Sequence, residues 1–181
     1  MNKLSLVATL CVAAAPLYAF DIRPCEGTPG AYHVNADASL GGFVASSASV
    51  DALATLSPEV QVCDYAILKG AVKIMDRAII HGRANLTGNV AVSGDANVGG
   101  DANLINSDVG GDMLILDDAR IYGNAYLNGN VMVSGTSQVY GNAKIQDFVQ
   151  IHGTSKVCGN AWLNEDTVLT DDTTFCSSIT P

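Results

Sequence analysis

Basic and aromatic residues are scarce in this chain: nine Lys and Arg stand against 18 Asp and Glu, with three His, one Trp and aromatics at 6% of 181 residues. A formal charge of −9 argues against nucleic acid or an anionic membrane as a partner held by a basic patch. Beyond residue 19 no apolar run is long enough to cross a bilayer as a helix. The spacings yield no Ser-His-Asp constellation and no paired general acid and base. Gly99-Gly100 and Gly110-Gly111 lack the strand-to-helix context of a phosphate loop, and no Cys-x-x-Cys is present. What remains is a repeat.

From Ser46 to Cys176 the chain recurs every six residues, as in Gly123-Asn124-Ala125-Tyr126-Leu127-Asn128. The fifth position is aliphatic: Val50, Leu56, Val62, Leu68, Ile74, Ile80, Leu86, Val92, Val98 and Leu104, then Ile115, Ile121, Leu127, Val133, Val139, Ile145, Ile151, Val157, Leu163, Leu169 and Phe175. The single break, at Asn106 to Gly110, reads as one unit of five residues, with Asp108 at an inward third position. Third positions are small, as at Ala66, Ala84, Ala102 and Ala125. Alternation of third and fifth positions is the signature of a strand with one buried face, and the Gly-Asn, Gly-Asp and Asp-Asp pairs that open the units suit a turn. A strand this short buries nothing alone, whereas stacked coils bury a continuous core. The fold expected is an all-β, single-domain parallel β-helix over residues 46–176.

The units Gly123 to Leu127, Gly141 to Ile145 and Gly159 to Leu163 resemble the "GNA-x-[VIL]-x" units of bacterial hexapeptide-repeat proteins. That resemblance implies a left-handed β-helix with three units per triangular coil, hence about seven coils and a rod roughly 35 Å long at the ~4.8 Å strand spacing. Relatives of this kind are often labelled acyltransferases. The enzymes typically add an extended loop, a catalytic His and an acyl-donor region, and this chain shows none of these additions. Under the acyltransferase alternative, His81 and His152 are the catalytic candidates. Both are placed at sixth positions of one face roughly 19 Å apart, and a trimer would carry each to a subunit boundary. The γ-class carbonic anhydrases share the fold, but the spacing of their three zinc-binding His is missing.

Met1 to Ala19 reads as a secretory signal peptide, with Lys3 ahead of an apolar run from Leu4 to Ala15. Residues 20–45 fit the repeat poorly and serve as an N-terminal cap, residues 177–181 as a tail. Without the signal segment the charge is about −10, and a secreted or periplasmic location is expected. Cys158 and Cys176 occupy sixth positions one coil apart, within bridging distance. Cys63 is about five coils from either in the stack, which leaves Cys25 as its partner.

Four outward sets are candidates for function. Asp95 with Asp112, and Asp101 with Asp118, would stack on two corners and are weak calcium candidates. Asn89, Ser107, Asn124, Asn142 and Asn160 would form an amide ladder on the third corner. Tyr122 and Tyr140 stack one coil apart, while Tyr126, Lys144 and Trp162 mark consecutive coils of another face, a strip suited to a glycan or protein. Ile79, Leu114, Met132 and Val168, with Leu116 beside them, make an apolar face fit for the cap or for a homo-oligomer contact. Outward Thr55, Thr87, Thr170 and Thr174 form no ice-binding array. No cofactor is implied. The reading that follows is an exported, disulfide-capped structural or surface-binding protein, with the trimeric acyltransferase relative as the alternative.

Overall fold

A computed structural model describes residues 25–106 and 112–177. The segment read as a signal peptide, the first residues of the expected cap, Ser107 and Asp108 within the break, and residues 178–181 lie outside the described residues.

The described residues form a parallel β-solenoid of three sheets and no helix. The first sheet has nine strands, from Gly30–Val34 and Leu40–Ala45 to Lys156–Gly159 and Thr174–Ser177. The second runs from Ser49–Val50 to Trp162–Leu163 and the third from Thr55–Leu56 to Thr167–Leu169, with seven strands each. Successive strands belong to different sheets, and each pairs with the strand three places on. Backbone groups therefore find their partners in neighbouring coils, which satisfies them without long strands.

Alternation of inward and outward residues places the fifth-position side chains along one axis. Leu68, Leu86, Leu104, Leu127 and Ile145 are 0–1% exposed, and so are the Ala residues at 66, 84, 102, 125 and 143. Small third positions sit next to the corners, where the coil has least width. Ser137 and Ser155 replace Ala there at no exposure, and each hydroxyl donates to a carbonyl, Ser155 to His152 O at 2.8 Å and Asp171 O at 2.9 Å.

Corner chemistry explains the first position of the unit. Asp64, Asp76 and Asp117 adopt φ values of 56°, 58° and 61°, a left-handed turn that Asp tolerates. Their carboxylates accept the N–H of Gly82, Gly94 and Gly135 one coil further on, at 2.9, 2.9 and 3.0 Å. Gly88, with φ 91°, is required sterically as well, because a Cβ there would overlap the carbonyl oxygen of Asn106.

The N-terminal end is closed by a hairpin. Gly30–Val34 pairs antiparallel with Leu40–Ala45, which itself joins the parallel sheet through Phe43 and Val44. The first sheet thus begins inside the segment read from sequence as cap. Asn35, 7% exposed, accepts from Leu56 N at 2.9 Å and donates to Leu56 O at 3.0 Å, so its amide stands in for a missing coil. The Cys25–Cys63 bridge spans Cα atoms 5.3 Å apart and anchors this end, while Cys158–Cys176, at 4.4 Å, ties neighbouring strands of the first sheet at the other.

One expectation about register is overturned. Elsewhere strands pair 18 residues apart, as Asn85 with Asn103, but Val90 pairs with Met113 and Asn97 with Arg120, 23 apart. The break is an insertion of five residues at a corner, not a short side of the coil. Every residue after it therefore lies one face away from its expected place.

Replacing Leu127 by Ala should lower stability by about 2–5 kcal/mol through the cavity it leaves. Replacement of the outward Asn128 by Ala should stay within about 0.5 kcal/mol. Urea unfolding of both variants checks the inward and outward assignment.

Candidate functional site: an aromatic and amide surface

The register correction redistributes the outward candidates. Asp95 aligns with Asp118 and Asp101 with Asn124, so neither expected Asp pair stacks. Instead, Asp95 and Asp101 are held by Arg77 and Arg83 of the preceding coil, with bonds of 2.5 to 2.7 Å. Among the described residues no cluster of three His, Cys, Asp or Glu is arranged to hold a metal. The Asp101 carboxyl is held below its usual value by the Arg83 hydrogen bond and charge, and the guanidinium is raised in return.

His81 and His152 do not share a face. His81 follows the Ile79–Ile80 strand of the first sheet, and His152 follows Val149–Ile151 of the third. The His81 ring lies over Gly99, where a Cβ would collide with it, and its Nε2 is 2.9 Å from Asn97 Oδ1. The half-buried His152 bridges two side chains: Nδ1 is 2.7 Å from Ser134 Oγ and Nε2 is 3.1 Å from Gln150 Oε1. A carbonyl acceptor at Nε2 fixes the proton there and leaves Nδ1 to accept from Ser134. Sequence reasoning missed this Ser-His contact because the two residues are neighbours only across a coil.

Ile79 likewise leaves the apolar face. It pairs with Gln61 and Asn97 in the first sheet, whereas Leu114, Met132, Gln150 and Val168 align in the third. Leu116 follows Leu114 on that sheet. The sequence pattern had not placed Phe148 there, yet it is 60% exposed at the adjoining corner.

The aromatic residues converge. Tyr122 and Tyr140 are parallel, 5.0 Å between centroids and 2° between planes, at the end of the first sheet. Burial and the neighbouring Tyr140 raise the Tyr122 phenol above its usual value, so it remains a hydroxyl donor at neutral pH. Around the corner, Asn124 Nδ2 donates to Asn142 Oδ1 at 2.9 Å and Asn142 Nδ2 to Asn160 Oδ1 at 3.1 Å. The ladder thus links Asn124, Asn142 and Asn160, with Asp101 aligned one coil before Asn124; Asn89 stands on a different corner, and Ser107 lies outside the described residues. Beyond the ladder, Tyr126, Lys144 and Trp162 align on the second sheet. Trp162 is 62% exposed, its indole N–H donating to Gln146 Oε1 at 3.2 Å. One tyrosine pair, an amide ladder and a Tyr-Lys-Trp row thus follow one another around the corner between the first and second sheets.

Comparison of the chain with protein-family models, with curated proteins and with solved structures finds no match.

The Asp101 contact carries a sign for pH dependence. A carboxyl with a folded pKa below its unfolded value of ~3.9 stabilises above that value and loses the contribution as pH falls through the folded pKa. Asp37 and Asp51, lowered by hydrogen bonds from Ser39 and from Leu53 N, act in the same direction. Arg83→Gln should raise the Asp101 titration midpoint, read by carboxyl NMR, and leave that of Asp37 in place.

Proposed function

We propose that the protein is an exported, disulfide-capped β-solenoid that acts as a structural or surface-binding rod, and that the face from Tyr122 to Trp162 is its binding surface for a glycan chain. The observation that carries this reading is the alignment of Tyr126, Lys144 and Trp162 on consecutive strands, beside the Asn124 to Asn160 ladder and the Tyr122–Tyr140 stack. Aromatic rings bury area at small entropic cost, and a rigid sheet holds them in place before the ligand arrives. Amide columns supply donors and acceptors at a fixed interval of ~4.8 Å, which suits an extended polymer rather than a compact molecule. Two disulfides fit an oxidising compartment, the setting that the signal-like segment implies. No helix among the described residues is long and apolar enough to cross a membrane.

Trp162 is the only Trp, so its fluorescence reports on this surface without labelling. Titration with soluble polysaccharides should quench or shift that emission, and a Tyr126→Ala, Trp162→Ala variant should lose retention on the same polymers. Absence of any response across neutral and acidic polymers sinks the glycan reading.

The second reading, a trimeric acyltransferase relative in the left-handed hexapeptide-repeat class, is favoured by one observation, the Ser134 hydroxyl 2.7 Å from His152 Nδ1. A base with its tautomer set by Gln150 is equipped to take a proton. That reading needs a neighbouring subunit to build a cleft over the third sheet through Leu114, Leu116, Met132 and Val168. Light scattering of the oxidised protein separates the two: a stable trimer supports the acyltransferase relative, and a monomer removes it.

A further inference from the structure

The described cations divide by whether a carboxylate holds them, and Lys69, Lys73 and Lys144 also lack an ion pair. Arg77 and Arg83 are held by Asp95 and Asp101, whereas among the described residues no carboxylate lies within ion-pair distance of Arg120 or Lys156. These two share the first sheet, with Gln138 between them: Arg120 pairs with Gln138 and Gln138 with Lys156 on consecutive strands. Their backbones stand two strand spacings apart, about 10 Å. Unpaired cations so placed on an acidic chain are available to a ligand.

The groups around them are oriented outward. Tyr122 OH donates to Gln138 Oε1 at 3.2 Å, so the carbonyl is occupied and the amide N–H bonds have no partner among the described residues. Thr136 and Thr154 line the same open recess of about 570 Å³ with Arg120, Gln138 and Lys156, and Asp118 closes one rim. The Thr154 hydroxyl donates to Asp172, which leaves its oxygen lone pairs as acceptors. The Tyr122–Tyr140 stack borders the recess on the side of the amide ladder. Guanidinium, amide and ammonium donors in one row ask for acidic or acceptor-rich groups at regular intervals. A carboxylate and two threonines at the opposite side ask for hydroxyls, and the ring pair asks for a flat apolar face.

Resting on the surface-binding reading above, we propose that the Arg120–Gln138–Lys156 row is the acid-recognising subsite for an acidic polysaccharide that bears carboxylate or sulfate groups along its length. Such a polymer combines all three requirements: spaced anions, many hydroxyls and sugar faces that lie on tyrosine. A single-stranded DNA meets the first alone, since it lacks the run of hydroxyls that the Asp118 rim and the two threonines ask for.

The test is affinity electrophoresis of the purified, oxidised protein in gels containing polygalacturonate, dextran sulfate, neutral dextran or single-stranded DNA. Alongside run Arg120→Gln/Lys156→Gln and a Lys73→Gln control on the third sheet, with circular dichroism to show that each keeps its β-structure. Retention by polygalacturonate or dextran sulfate that falls at least tenfold in the double variant, persists in the control and weakens with salt supports the subsite. Comparison of those two polymers assigns carboxylate or sulfate as the favoured acid. Retention by acidic polymers that survives the double variant, or equal retention by single-stranded DNA, overturns the subsite and leaves the surface-binding reading standing. Retention by neutral dextran alone does the same. No retention by any polymer, with Trp162 emission unchanged, overturns both.

Discussion

Backbone pairing between coils is the constraint from which the rest follows. Strands of two to six residues cannot hold a sheet by themselves, yet each one here except those at the sheet ends is hydrogen-bonded to a strand above and a strand below. Such stacking demands that coils match in outline, so the inward positions accept a narrow range of volumes and the corners accept residues with unusual backbone angles. Asp64 and Asp117 meet both demands, since each turns the chain and also bonds a glycine of the next coil. The same constraint arranges surface chemistry in columns, because a residue type repeated at one position of the unit becomes a row at fixed spacing. Binding capacity on such a molecule is a property of rows.

Much of this was legible in the sequence. The aliphatic series and the Ala third positions specify strand, side and buried face, and the structure agrees from Leu56 to Leu163; at the ends Val50 and Leu169 are partly buried, and Phe175, on the last strand, is 40% exposed. Neighbours in a column such as Tyr126, Lys144 and Trp162 follow from counting. The assignment of faces on either side of the break was not legible. Eleven residues separate Leu104 from Ile115, and periodicity alone treats that interval equally well as two sides of a coil or as one side with a loop. Pairing of Val90 with Met113 decides for the loop, and with it the expected relations across the break dissolve: Asp95 with Asp112, Asp101 with Asp118, Ile79 with Leu114 and His81 with His152. A one-dimensional count has no access to which strands meet, so a single indel displaces every relationship across it while leaving those on each side intact.

Polar groups inside the solenoid show where the repeat tolerates exceptions. Ser137 and Ser155 are fully buried at third positions, and both remain bonded because a corner carbonyl lies within reach of a short hydroxyl. Asn106, 1% exposed, donates to Asn89 O at the point where the chain leaves the regular path. The exceptions thus cluster at corners and at the insertion, where carbonyls are turned toward the interior, and are absent from the axis of fifth positions.

The closed hairpin at Gly30–Val34 has a further meaning for how the molecule forms. The hairpin, with the Asn35 amide in place, presents a finished edge to the first coil. Each later coil closes a loop of 18 residues, or 23 where the insertion falls, and the entropic cost of closure grows only slowly with that length. The Cys25–Cys63 bridge, with a separation of 38 residues, secures the start of this winding, and Cys158–Cys176, with 18, clasps its last turn. Fraying of the terminal coils is therefore limited at both ends by a covalent clasp.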